Sequence, residues 1–173
     1  MMHAILSKFA WAVDSAARAL FVVAGVMLTA MMLIITADVV TRSLFGMSGG
    51  AIRLTVAGGV ELVRFALLFT IVCALPAVVE RGQVVVESFT GWMSAQGRQV
   101  LFAIYLLGFC GFGVVLAYGW YGGGVAALRN GETTQDLGIP MAPLLFAAAA
   151  CAAVLAVRSF ICAVRSFAGK VEA

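Results

Sequence analysis

Two short charged pairs stand out against an otherwise apolar chain. Asp38 and Arg42 are four residues apart, and Glu61 and Arg64 three apart, so each pair can meet on one face of a helix. Ionisable groups at membrane depth commonly bind protons or substrates, which is the sharper reading. The plainer one is two neutralised pairs at the membrane boundary, cross-linked to each other or to a partner subunit; their position at the edges of uncharged windows favours it. Other chemistry is sparse. The one histidine, His3, stands near the N-terminus, and the eight acidic residues are spread out rather than clustered. Cys73, Cys110, Cys151 and Cys162 form no Cys-x-x-Cys and fall inside apolar stretches, so packing is the role expected of them. A quinone-linked thiol oxidoreductase would need reactive pairs in its loops, and a haem anchor would need ligands at matched depth on facing helices. Neither pattern is present, so no enzyme activity, metal or cofactor is expected.

The elements that position these residues follow from composition. Of 173 residues, 64% are hydrophobic and 11% charged, with a mean hydropathy of +1.10. Soluble domains carry about a quarter charged residues. Too few charges remain to cover a water-facing globule, and an integral membrane protein is expected. The net charge of +3 has no basic run behind it, which excludes a nucleic-acid surface.

Charges mark the span ends, since each costs roughly 2.5–3.5 kcal/mol at a helix centre. Uncharged windows of 19, 15, 30 and 21 residues lie between Arg18 and Asp38, Arg64 and Glu80, Arg98 and Arg129, and Asp136 and Arg158. The second is extended by the small apolar residues Val56 to Val60. The continuous runs predict an all-α fold of four transmembrane helices, at about 17–43, 56–80, 98–122 and 140–166, in a single membrane domain over 1–173. The first run is too long for a signal-peptide core and is read as a retained helix. Four crossings put both termini on one side. With the termini inside, Lys8, Arg18, Arg81, Arg98, Arg158, Arg165 and Lys170 are cytoplasmic, against Arg42, Arg53, Arg64 and Arg129 outside. Trp11 and Trp92 then fall at the inner interface, and Tyr118, Trp120 and Tyr121 at the outer one.

Between the second and third spans, Val85, Phe89, Trp92 and Met93 recur at helical spacing, suiting a short interfacial helix at about 84–96. The segment from Gly122 to Pro140 reads as a structured outer loop, with an Asn-Gly turn and Pro140 in the first turn of the last helix. In the third span Gly111, Val115 and Gly119 share a face, and Gly119 and Gly123 form a small-xxx-small pair that admits a close neighbour, in this chain or another.

The run VELVRFALLFTIVCALPAVVERGQVVVESF, from Val60 to Phe89, resembles the second helix and following loop of the small membrane subunit of TRAP transporters, the tripartite ATP-independent periplasmic type. The resemblance is carried by Glu61, Leu62, Arg64, Arg81, Gly82 and Val84 to Val86. GETTQDLGIPMAP is similar to that family's Thr-rich loop before the last helix, through Thr133, Thr134, Leu137, Ile139 and Pro140, and DVVTRSLFG is similar to the end of its first helix. The likeness spans about residues 17–165. Where family members often carry His after the Arg-Gly, this chain has Gln83, which cannot titrate near neutrality, so no proton-linked role is expected there.

The resemblance implies a non-catalytic, multi-pass subunit of the bacterial inner membrane, and the excess of lysine and arginine on the inner side, seven against four, puts both termini in the cytoplasm. It would brace a large multi-span subunit as part of a static scaffold, surrounded by lipid. It would also help a periplasmic solute-binding protein dock transiently during sodium-driven uptake of an organic acid. Asp38, Arg42, Glu61 and Arg64 would then be structural pairs near the subunit interface, Gly111, Gly119 and Gly123 a packing face, and Arg129, Glu132 and Asp136 outer-loop docking residues. A self-sufficient small proton-coupled transporter or exporter acting as a homodimer is the competing reading. It would need a carboxylate near mid-span, whereas Asp38 and Glu61 lie near span ends.

Overall fold

A computed structural model describes residues 2–49, 58–79 and 94–167. Most of the expected interfacial helix at 84–96 therefore lies outside the described residues, as do Arg81 to Val86. Four helices make up the described structure: α1 (Met2–Met47), α2 (Gly59–Val78), α3 (Ala95–Asn130) and α4 (Met141–Phe167). Each is long and apolar enough to cross a membrane, as the uncharged windows predict. This is an all-α, multi-pass membrane protein.

The helices overrun the spans read from charge. α1 has 46 residues, roughly 70 Å at 1.5 Å per residue, against a hydrocarbon layer of about 30 Å. Charges mark where hydrocarbon ends, and the backbone ladder has no reason to stop there. The third helix departs most from expectation. It continues through Gly122, Gly123 and Gly124 to Asn130, a stretch read as loop from its glycines. Of these, Gly124 serves packing, because a Cβ on it would lie 2.8 Å from the Phe146 ring. The helix stops at Gly131, whose φ of 64° is the left-handed conformation that favours glycine. The N–H groups of Gly131 and Glu132 both bond to Ala127 O, which closes the last turn. Pro140 precedes α4, and Pro143 falls in its first turn, where a missing N–H costs nothing.

α3 packs chiefly on α4 and α1 chiefly on α2, while α4 touches both α1 and α2 and so joins the two pairs. The α3–α4 contact is built from small residues. Ala148, Ala152 and Ala156 recur every four residues on the buried face of α4, and Gly113 of α3 sits against the last two. At one end Phe102 and Leu106 of α3 meet Leu155, Cys162 and Ala163 of α4 and Val79, which follows α2. Nearer the middle Ala24 of α1 packs with Val72, Cys73 and Cys151. The Cys73 and Cys151 sulfurs lie 3.6 Å apart as free thiols in this core.

Gly111 and Gly119 do not contribute to these contacts: a Cβ on either meets nothing within 4 Å, and Gly123 makes only ordinary contact with Leu145. A Cβ on Gly113, by contrast, would lie 2.9 Å from the backbone N of Ala156. Gly113→Val is therefore expected to destabilise the purified chain by about 1–3 kcal/mol through overpacking, while Gly111→Ala and Gly119→Ala leave it unchanged. Thermal unfolding in mild detergent distinguishes these, and equal melting of all three variants would refute the assignment.

Candidate functional site

Polar chemistry gathers at the two ends of the bundle. At the end where α2 begins, the ten-residue connection after α3 folds back as a tight hairpin. Thr133 and Pro140 form an antiparallel bridge, Thr134 N donates to Ile139 O at 2.8 Å, and Met141 N donates to Glu132 O at 3.0 Å. Thr134 is buried, and its hydroxyl accepts from Ile139 N at 3.0 Å. Gly138, at φ 64°, turns the chain. The consequence is that three successive backbone N–H groups at the tip point the same way, a concavity suited to an anion.

Glu61 supplies that anion. Its carboxylate accepts from Gln135 N at 3.0 Å, Asp136 N at 3.2 Å and Leu137 N at 3.0 Å. In the first turn of α2 its charge also complements the helix dipole. Beside it Leu137 covers Gly58, the residue preceding α2, which has φ 69°. A Cβ on Gly58 would lie 2.6 Å from Leu137 Cγ. Glycine is required there twice, by backbone conformation and by space. The hairpin is thus fastened to α2 by a charge-assisted clasp and an apolar contact.

Asp38 and Arg42 form the expected pair at 2.8 Å, with the arginine side chain 69% exposed. Such a helical pair contributes about 0.3–0.5 kcal/mol in water. Glu61 and Arg64 are not brought together: among the described residues no ion pair joins them, and Arg64 lies exposed one turn further along α2. Three convergent N–H donors draw the carboxylate to the hairpin instead. Arg129 is exposed in the last turn of α3, where a cation suits the helix end. Glu132 accepts from Asn130 Nδ2 at 3.0 Å, and Asp136 is exposed at the hairpin tip.

The opposite end holds a cluster the sequence reading passed over. Arg158 is 8% exposed within α4. Its Nε lies 3.2 Å from Asp14 Oδ1, and its Nη1 donates to Pro76 O. The Pro76 carbonyl is in the last turn of α2, beyond the reach of intrahelical donors, so the guanidinium caps that helix. Arg165 Nη1 adds a contact of 3.8 Å to Asp14 Oδ2, and Ser166 Oγ donates to Gln99 O at 3.3 Å. One arginine thereby ties α1, α2 and α4. The signal was present: an arginine followed by further apolar helix must find an internal partner.

Neither cluster is a catalytic constellation. The carboxylate of Glu61 is occupied by backbone donors and Arg158 by Asp14 and a carbonyl; among the described residues no group of three or more His, Cys, Asp and Glu could hold a metal ion. What the geometry does offer is a rigid polar hairpin on a membrane-spanning bundle.

Residues 31–169, most of the chain, match the family model described as the DctQ component of tripartite ATP-independent periplasmic transporters. No curated protein and no solved structure matches.

Glu61→Gln is expected to free the hairpin while sparing the helices, at a cost of about 1–3 kcal/mol for the lost charge-assisted bonds. Hydrogen exchange at the Gln135, Asp136 and Leu137 amides should accelerate, and unchanged protection would count against the clasp. At the other end, Asp14→Asn leaves Arg158 with a weaker acceptor and lowers the melting temperature.

Proposed function

Since the chain belongs to the DctQ component family of tripartite ATP-independent periplasmic transporters, we propose that it braces the large membrane subunit as static scaffold and presents its 131–140 hairpin to the periplasmic solute-binding protein. Members of this family work with those two partners. The observation that carries the bracing role is the state of α1: only 6% of its most apolar window is buried by the rest of the chain. Phe21, Val22, Val26, Met32, Leu33, Val39 and Val40 are among its exposed side chains. A helix so little used by its own fold has its surface available to lipid and to a second membrane protein. The open faces of Gly111 and Gly119 on α3 suit close approach of a partner helix in the same way.

Docking rests on the hairpin's rigidity and polarity. A loop held by the Glu61 clasp loses little freedom on binding, and Arg129, Glu132 and Asp136 offer charges of both signs at its rim. Placing this end in the periplasm, with both chain termini in the cytoplasm of a bacterial inner membrane, agrees with the lysine and arginine bias. The transported solute, an organic acid carried by sodium symport, is held by the partners on this reading. Accordingly the chain by itself transports nothing.

Affinity purification of the tagged chain from native membranes should bring down a much larger multi-span protein in equal amount. Recovery of the chain alone or as a homodimer would refute the bracing role. In reconstituted transporter, Glu132→Lys with Asp136→Lys should raise the binding-protein concentration for half-maximal uptake roughly three- to tenfold. Co-purification of the large subunit should be unaffected. Charge reversal at Glu61 should weaken both docking and uptake, and intact assembly with intact uptake would exclude a role for that residue.

A further inference from the structure

We propose that one face of α3 binds a single anionic phospholipid, from the leaflet on the side where α3 begins. An acyl chain lies over Gly108, between the rings of Tyr105, Phe109 and Phe112, and the headgroup phosphate meets Arg98. The site does not depend on the subunit role above, only on the chain's being in a bilayer.

The first observation is a groove of about 440 Å³ lined by Tyr105, Gly108, Phe109 and Phe112, wholly within a membrane-spanning helix. Its walls are organised. Tyr105 and Phe109 have ring centroids 4.9 Å apart in a tilted arrangement, and Phe109 and Phe112 meet edge to face at 6.4 Å. Its floor is Gly108, where an added Cβ would meet nothing within 4 Å. Tyr105 and Phe109 rest partly against the core and Phe112 is exposed, so Gly108 is the gap between them, which suits a thin, flexible occupant.

The second observation is charge. Arg98 lies two turns before Tyr105 on the same face, half-buried, at the boundary between the apolar span and its polar approach. Among the described residues its guanidinium has no hydrogen-bond or ion-pair partner, and the first turn of α3 carries no acidic residue. An uncompensated arginine at this depth attracts an anion, and in a bilayer the abundant anion at that level is a lipid phosphate. Apolar groove and cation thus stand in the order that a phospholipid presents chain and phosphate.

The test is native mass spectrometry of the full chain in mild detergent, after incubation with mixed micelles of equimolar phosphatidylglycerol and phosphatidylcholine. The wild type should retain one lipid and prefer phosphatidylglycerol by about five- to tenfold. Arg98→Gln should bring that preference close to parity, Arg98→Lys should keep most of it, and Gly108→Leu should lose both lipids. The leucine enters open space, so folding is not at stake, and circular dichroism checks it. Lack of headgroup preference in the wild type, an unchanged preference in Arg98→Gln, or retained lipid in Gly108→Leu would each overturn the proposal.

Discussion

A backbone crossing hydrocarbon has no water to satisfy its polar groups, so each helix end and each buried charge must be answered from within the protein. This constraint organises both ends of the bundle. Where α2 ends, a proline-containing last turn presents the Pro76 carbonyl, and Arg158 reaches across from α4 to cap it while Asp14 of α1 balances the charge. Where α2 begins, the carboxylate of Glu61 gathers the three tip amides of the hairpin. α2 is thus held at its two ends by opposite charges of opposite origin. A cation from another helix closes its C-terminal end, and its own anion closes the loop above its N-terminal end.

Between these ends the helices are joined mainly by shape. α3 and α4 come close because glycine and alanine face one another, Gly113 against Ala152 and Ala156 and Gly124 against Phe146. In a membrane there is little hydrophobic force to press helices together, so close backbone approach and dispersion do that work. α1 is different. It contributes Ala17, Ala24 and Asp14 to the inside and leaves most of its length uncovered. A bundle with one tightly matched pair and one outlying helix is well suited to adding a surface to something larger, and less suited to enclosing a substrate of its own. The chain belongs to a tripartite transporter family, and the bracing role proposed for it would use that asymmetry.

Much of this was legible in the residues. Uncharged windows bounded by Arg18, Asp38, Arg64, Arg98, Arg129, Asp136 and Arg158 set the number of helices, because an unpaired charge in hydrocarbon is costly on whichever helix it stands. The Asp38–Arg42 pair followed from helical spacing, since both partners lie on one helix. The glycines of α3 were recognisable as packing residues in kind. Which of them pack was not, because Gly113 and Gly111 differ only in which side of the helix faces α4.

The long-range choices belonged to the tertiary structure. Glu61 had a neighbour three residues away in Arg64, yet it binds amides more than seventy residues distant. Three preorganised N–H donors outmatch one flexible, exposed guanidinium. The helix through Gly122 to Gly124 likewise contradicted local propensity, and at Gly124 contact with Phe146 favours the absence of a side chain. Local spacing and the price of burying a charge therefore fixed the number of helices and their membrane limits. Which polar group answers which, and which glycine meets which alanine, depended on how the helices are rotated and set against one another, and no property of a single segment encodes that.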